Sequence, residues 1–294
     1  MPAAWVKRWK IEKGLEVDVE EDGRDLVVRL PDRSPATKVM SVRIGKNERL
    51  GKTRITSAYR QGFDELTVFY EDPSFNEVMQ KLLSDELMGF EIVEQEEGSC
   101  LIRDLTGDKR ELTSAIDRLW ELTCTVGELA SNPNGDEADE HYEKIAAVDK
   151  NVNKFSNHCL RLLTKHEQPN KSKAFALFVL ATQLEQLADI YKDLWKPDYR
   201  TEAAKPKTIG LLKKLEVGLD HVRGLYNHFE EDKVEEAHEF FQGFRVREIR
   251  RSGSRGVASI HMMLWDILST IVEISVQEYT HTDSEAKDSE GQSA

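Results

Sequence analysis

The chain has 294 residues, of which 39% are hydrophobic and 32% charged, enough apolar content for a buried core and too much charge for a membrane-embedded chain. Its formal net charge of −13 excludes attraction of the whole molecule to nucleic acid or an anionic bilayer, so any such contact must use a local basic patch. Cys100, Cys124 and Cys159 are odd in number and lack metal-ligand spacing, which argues against a disulfide scaffold or a zinc ribbon and for a reducing, cytoplasmic setting.

Residues 1–33 read as short β structure. Val17 and Val19 alternate with Glu16, Asp18 and Glu20, which is strand period. Asp22-Gly23 marks a hairpin turn, and Leu26 to Leu30 is the return strand. Charges appear within the first seven residues, so no secretory leader is expected. Two prolines in Pro31 to Pro35 make a linker. Residues 36–106 then alternate strand and helix: strand Val39–Ile44, helix Glu48–Gln61, strand Leu66–Phe69, helix Phe75–Leu87, and a hairpin of Phe90–Val93 with Ser99–Ile102. Gly62 and Gly89 are helix stops. This order predicts a small sheet with helices on one face.

From residue 109 to 280 apolar residues recur at steps of three and four, the rhythm of packed antiparallel helices. Six stripes are visible. They begin at Leu112, Ile145, Leu177, Leu212, Val234 and Val257, with breaks at Asn132-Pro133, Gln168-Pro169 and the linker 197–206. Helix three and helix six align at an offset of 80, Leu177 on Val257 through Leu194 on Ile274, which makes a repeat of two three-helix units. Residues 281–294 are rich in Asp, Ser and Glu and read as a disordered tail. No unbroken run of about 18 apolar residues occurs, so no integral membrane segment is expected. The fold class is multidomain α+β: a small β domain, a small α/β domain and an all-α six-helix bundle.

Two zones resemble known families. Pro2-Ala3-Ala4-Trp5-Val6, Ile11-Glu12-Lys13-Gly14, Val17-Asp18-Val19-Glu20 and Asp22-Gly23-Arg24-Asp25-Leu26-Val27-Val28 resemble the later part of an AbrB/SpoVT-type swapped-hairpin domain. The chain starts where that family's first strand has ended, so the β domain is read as lacking this strand. The six-helix region resembles the PhoU domain, itself two three-helix repeats. Both domains on one chain are similar to archaeal-type phosphate uptake regulators. The resemblance implies a homodimer that binds DNA through basic residues of the β domain, of which this chain has Lys7, Arg8 and Lys10.

Glu185 and Asp189 stand at i and i+4 on helix three, and Asp193 extends the row by a turn. Side chains so spaced face the same way, and carboxylates in a row repel unless a cation lies between them. PhoU domains carry a Glu/Asp-x-x-x-Asp metal motif, so the resemblance implies one divalent or iron-type ion at Glu185, Asp189 and Asp193. The plainer reading is a solvated helix face with Lys192 neutralising Asp189. A multinuclear cluster is not expected: helix six offers Trp265 and Ser269 at the equivalent places, and helix two offers Asp149 and Asn153, half a pair.

Arg245, Arg247, Arg250 and Arg251, followed by Arg255, form the strongest basic cluster. Arginine suits phosphate and carboxylate partners, while a basic helix end explains the cluster equally well. Glu235-x-x-His238 has no second copy, which argues against a di-iron bundle. Gly51-Lys52-Thr53 lacks the glycine that a phosphate loop needs at residue 46. The expected function is therefore a non-enzymatic, cytoplasmic regulator of phosphate uptake that binds DNA. The alternative is a PhoU-like adaptor that docks on a phosphate transporter or its signalling protein without touching DNA.

Overall fold

Strand alternation on either side of Asp22 gives the N-terminal unit its hairpin. β1 (Asp18–Asp22) pairs antiparallel with β2 (Asp25–Arg29), with Asp22 opposite Asp25. The computed structural model describes residues 2–22, 25–30, 37–45, 47–106, 112–133, 137–166, 170–249 and 253–291. The turn residues Gly23 and Arg24 and the linker 31–35 lie outside them. Ahead of the hairpin stands a helix, α1 (Ala3–Arg8), where the sequence reading expects only β structure. Pro2 in extended conformation precedes two alanines, the strongest helix formers, and Lys7 and Arg8 fall in the last turn where the helix dipole favours cations. Contacts divide the chain into this unit, Met1–Lys38, and a second, Val39–Ala294.

The second unit begins with a four-stranded mixed sheet in the order β3-β4-β6-β5. Its elements are β3 (Val39–Ile44), α2 (Glu48–Arg60), β4 (Glu65–Tyr70), α3 (Phe75–Glu86), β5 (Phe90–Glu96) and β6 (Ser99–Asp104). β3 and β4 run parallel, joined through α2, and β6 is antiparallel to both its neighbours. Val42, Ile44, Leu66, Val68, Cys100 and Ile102 point from one face into a core shared with Ile55, Tyr59, Met79 and Leu82 of the two helices. Asn47 caps α2 through a bond from the Leu50 N–H to its side chain, 3.0 Å. Gly51-Lys52-Thr53 therefore lies inside a helix and not on a phosphate-binding loop. Gly62 and Gly89 take φ of +76° and +85°, the left-handed conformation that ends a helix run before the next strand.

A mostly α-helical region follows. It comprises α4 (Leu112–Ser131), α5 (Ala138–Lys165), α6 (Lys171–Leu194), α7 (Arg200–Ala203), α8 (Pro206–Asn227), α9 (Glu231–Phe244) and α10 (Arg255–Gly291). The stripe residues of α6 and α10, Leu177 to Leu194 and Val257 to Ile274, are all buried in one core with those of α4, α5, α8 and α9. α6 packs on α4, α5 and α10, and α10 packs on α8 as well. The linker contains α7, and Pro206 opens α8, where its missing N–H costs nothing. Between α9 and α10 the backbone makes a π-helical turn, Arg245–Ile249. α10 runs on to Gly291, past Thr282 where the sequence reading starts the tail.

One further difference concerns α10. Arg255–Val276 is long and apolar enough on average to cross a membrane, although no unbroken apolar run exists there, and half of it is buried inside the bundle.

Candidate functional site

The C-terminal half of α5 is buried all round, from Ser156 to Leu163. One side faces the bundle core through Val152, Cys159 and Leu162. The other carries Lys154, Asn157, Arg161 and Thr164, again at steps of three and four, and this side docks on α2, α3 and the sheet. Arg161 is its centre. The guanidinium donates to the carbonyls of Tyr59 (2.9 Å) and Phe63 (2.7 Å) and to Asp104 Oδ2 (2.8 Å). It lies 4.9 Å above the Tyr59 ring and 5.1 Å above Phe90. Burial alone would raise the Asp104 carboxyl, but the hydrogen bond and charge of Arg161 outweigh it and hold the group below its ordinary value.

Around this centre the same face closes with polar contacts. Arg60 Nε donates to Asn157 Oδ1 at 2.6 Å, and Asn157 Nδ2 donates to the Glu86 carbonyl at 3.0 Å. Lys154 Nζ reaches the Ser84 carbonyl at 2.7 Å, and Lys165 pairs with Asp64 at 2.6 Å. Thr164 donates to the Arg60 carbonyl.

The acidic row lies beside this joint. Lys192 of α6 reaches Asp149 Oδ2 on α5 at 2.5 Å and also pairs with Asp189. Asn153 Nδ2 stands 3.3 Å from the same Asp149 oxygen, while Asp149 Oδ1 is buried without a partner. Glu185 completes the group and feels Arg60 from across the joint. Its carboxyl is pushed up to about 7, first by burial and then by the Asp189 charge, against the opposing pull of Arg60. Burial likewise raises Asp149 despite its bond from Lys192. Burial by itself would lower the Lys192 ammonium, but its bonds to Asp149 and Asp189 reverse the sign and keep it charged.

The structure thus brings Glu185 and Asp189 together with Asp149 and sends Asp193 elsewhere, to Lys196 at 2.6 Å. Among the described residues, no group of three or more His, Cys, Asp or Glu side chains is arranged to hold a metal ion. The Lys192 ammonium already sits between two of the carboxylates. As arranged, the residues fit an ammonium and do not fit a metal centre.

Lys7 and Arg8 stand exposed on the last turn of α1, and Lys10, at φ +50°, is exposed just beyond it. Arg245 and Arg247 are exposed on the π-helical turn, and neither has a carboxylate partner among the described residues; Arg250 and Arg251 lie outside them. Glu248 on the same turn is taken by Lys214 at 2.6 Å. Sequence reasoning missed Arg161. Its one signal is an arginine standing inside the apolar run Cys159-Leu160-Arg161-Leu162-Leu163. Comparison with family models, with curated proteins and with solved structures gives no match.

Proposed function

We propose that the chain is a non-enzymatic, cytoplasmic regulator of phosphate uptake. In this reading an AbrB/SpoVT-like N-terminal unit contacts DNA as part of a homodimer, and a PhoU-like bundle of two three-helix repeats carries the regulatory state. The observation that carries the proposal is the pairing of α6 with α10. These are the two helices related by the offset of 80, and each buries its whole stripe against the common core. The exposed Lys7, Arg8 and Lys10 supply the local positive charge that an acidic chain needs to meet phosphates.

The test is retention of promoter and scrambled duplexes over a salt series. The proposal expects sequence-preferring binding that weakens steeply with salt and is lost in Lys7→Glu/Arg8→Glu. A second reading is favoured by one observation: exposed Arg245 and Arg247 have no carboxylate partner among the described residues. It makes the bundle an adaptor docked on an acidic or phosphorylated face of a transporter or its signalling protein. No DNA retention, together with loss of a co-purifying partner in Arg245→Glu/Arg247→Glu, would move the assignment to this reading.

A further inference from the structure

Where α8 stops at Asn227 the bundle has a cavity of about 420 Å³. It is walled by α4 and α6, which precede the linker 197–206, and by α8 and α10, which follow it. Its floor is aliphatic: Ile116, Leu177, Leu225, Ile271 and Ile274 are all buried. Tyr226 and Phe229 add aromatic wall. The rim is polar and carries one charge of each sign. Asp117 stands on the second turn of α4, and Lys173 on the first turn of α6. Thr113 and Asn227, both exposed, add neutral donors and acceptors. The volume is that of a small-ligand cleft, and apolar walls with a few polar groups are the usual lining of one.

We infer that this cavity binds a free amino acid with an apolar side chain, of the size of leucine. The walls select the body of the ligand, because a polar body would give up its water there and find no partner. The rim selects the head group. Beside Lys173 a carboxylate meets an ammonium, and the first turn of a 24-residue helix adds the positive end of its dipole. Beside Asp117 an ammonium is favoured. A zwitterion with an apolar side chain answers both charges and the floor at once. A fatty acid brings a second carboxylate to the Asp117 side of the rim, and an apolar amine brings a second ammonium to the Lys173 side. A hydrocarbon strips water from both rim charges and gives nothing in return. The site goes beyond the regulatory reading above and supplies it with an input. A ligand held between α4 and α6 on one side and α8 and α10 on the other favours whichever packing of these helices fits it best.

The test titrates the full chain with L-leucine, followed by calorimetry and by indole fluorescence. Trp120 is placed to report, since it is buried with its ring 5.5 Å from that of Tyr226 in the cavity wall. Isocaproate, which lacks the ammonium, and leucinamide, which lacks the carboxylate, are the comparison ligands. Leucine is expected to bind about tenfold more tightly than either. Lys173→Met is expected to remove its advantage over leucinamide, and Asp117→Asn its advantage over isocaproate. Thr113→Trp, a bulky side chain set on the exposed rim, is expected to abolish binding with unchanged helical circular dichroism, which separates loss of the site from loss of the fold. Absence of leucine binding to the wild type at millimolar concentration, equal affinity for the three ligands, or leucine affinity unchanged in Lys173→Met and Thr113→Trp would overturn the inference. So would tighter binding of isocaproate than of leucine, which would assign the cavity to carboxylic acids.

Discussion

Removing the Arg161 guanidinium leaves the mostly buried Asp104 carboxylate with Thr106 as its near donor and only Lys165, at 3.8 Å, for a counter-charge. Breaking a buried pair from one side costs about 3–5 kcal/mol when the remaining charge is uncompensated, and Lys165 puts this case at the low end, about 3 kcal/mol. Arg161→Met is expected to lose that much in urea unfolding, and adding Asp104→Asn is expected to recover part of it. The two carboxyl groups that flank the joint respond oppositely to pH. Asp104 is held below its ordinary value of 3.8, so its contribution is present at neutral pH and lost as pH falls through its folded value. Glu185 is raised from 4.5 to about 7, so the folded chain binds more protons than the unfolded one between those values. Its proton stabilises the fold at pH 5, and that contribution fades as pH rises through 7. Glu185→Gln is therefore expected to match the wild type at pH 5 and to exceed it at pH 8 by roughly 1–3 kcal/mol, read from unfolding midpoints. Lys192 is expected to exclude divalent cations from the same cluster. Lys192→Met leaves three carboxylates facing one another, and manganese or zinc is expected to raise the melting temperature of that variant and not of the wild type.

At the scale of elements, the points where helices stop are fixed by backbone geometry. Gly89 at φ +85° follows α3, and a Cβ added there would run into the side chains of Thr106 and Asp104. Gly89→Ala is expected to cost about 1–2 kcal/mol, while Gly210→Ala, in open space on α8, is expected to stabilise slightly. The helix stops, the strand order along the chain and all six bundle stripes were readable from spacing, because burial on a single face leaves a period in the sequence. α5 shows where that signal ends. Its apolar seam is periodic, but the second seam, Lys154 to Thr164, is polar and carries no hydrophobic period. Hydrophobic pattern therefore locates α5 in the bundle and says nothing of its docking on the sheet layer. The acidic row was readable as a spacing, i to i+4, and Lys192 as a neighbour. That Asp149 comes in from another helix to share Lys192 depends on how α5 crosses α6, which no local pattern records. α1 and the π-helical turn were missed for a related reason: six and five residues are too short to show a period.

For the whole molecule, net charge sets the terms on which DNA could be bound. A chain at −13 is repelled by a polyanion as a body, so attraction has to come from the few cations of α1, on a unit whose contacts are separate from those of residues 39–294. Two outcomes follow from that division. Deleting residues 1–38 is expected to leave the thermal unfolding of the remainder within a few degrees, since its two cores are self-contained, and to abolish DNA retention. The salt dependence then counts the contacts. Each neutralised phosphate contributes about −0.9 to the slope of log K against log salt, so Lys7, Arg8 and Lys10 of one copy give roughly −3 and those of two copies roughly −5. A slope near −5 would mean that two copies grip DNA together, and one near −3 that a single copy does. A slope well beyond what six cations give would require further basic side chains, Lys13 of the same unit first among them, to reach phosphates.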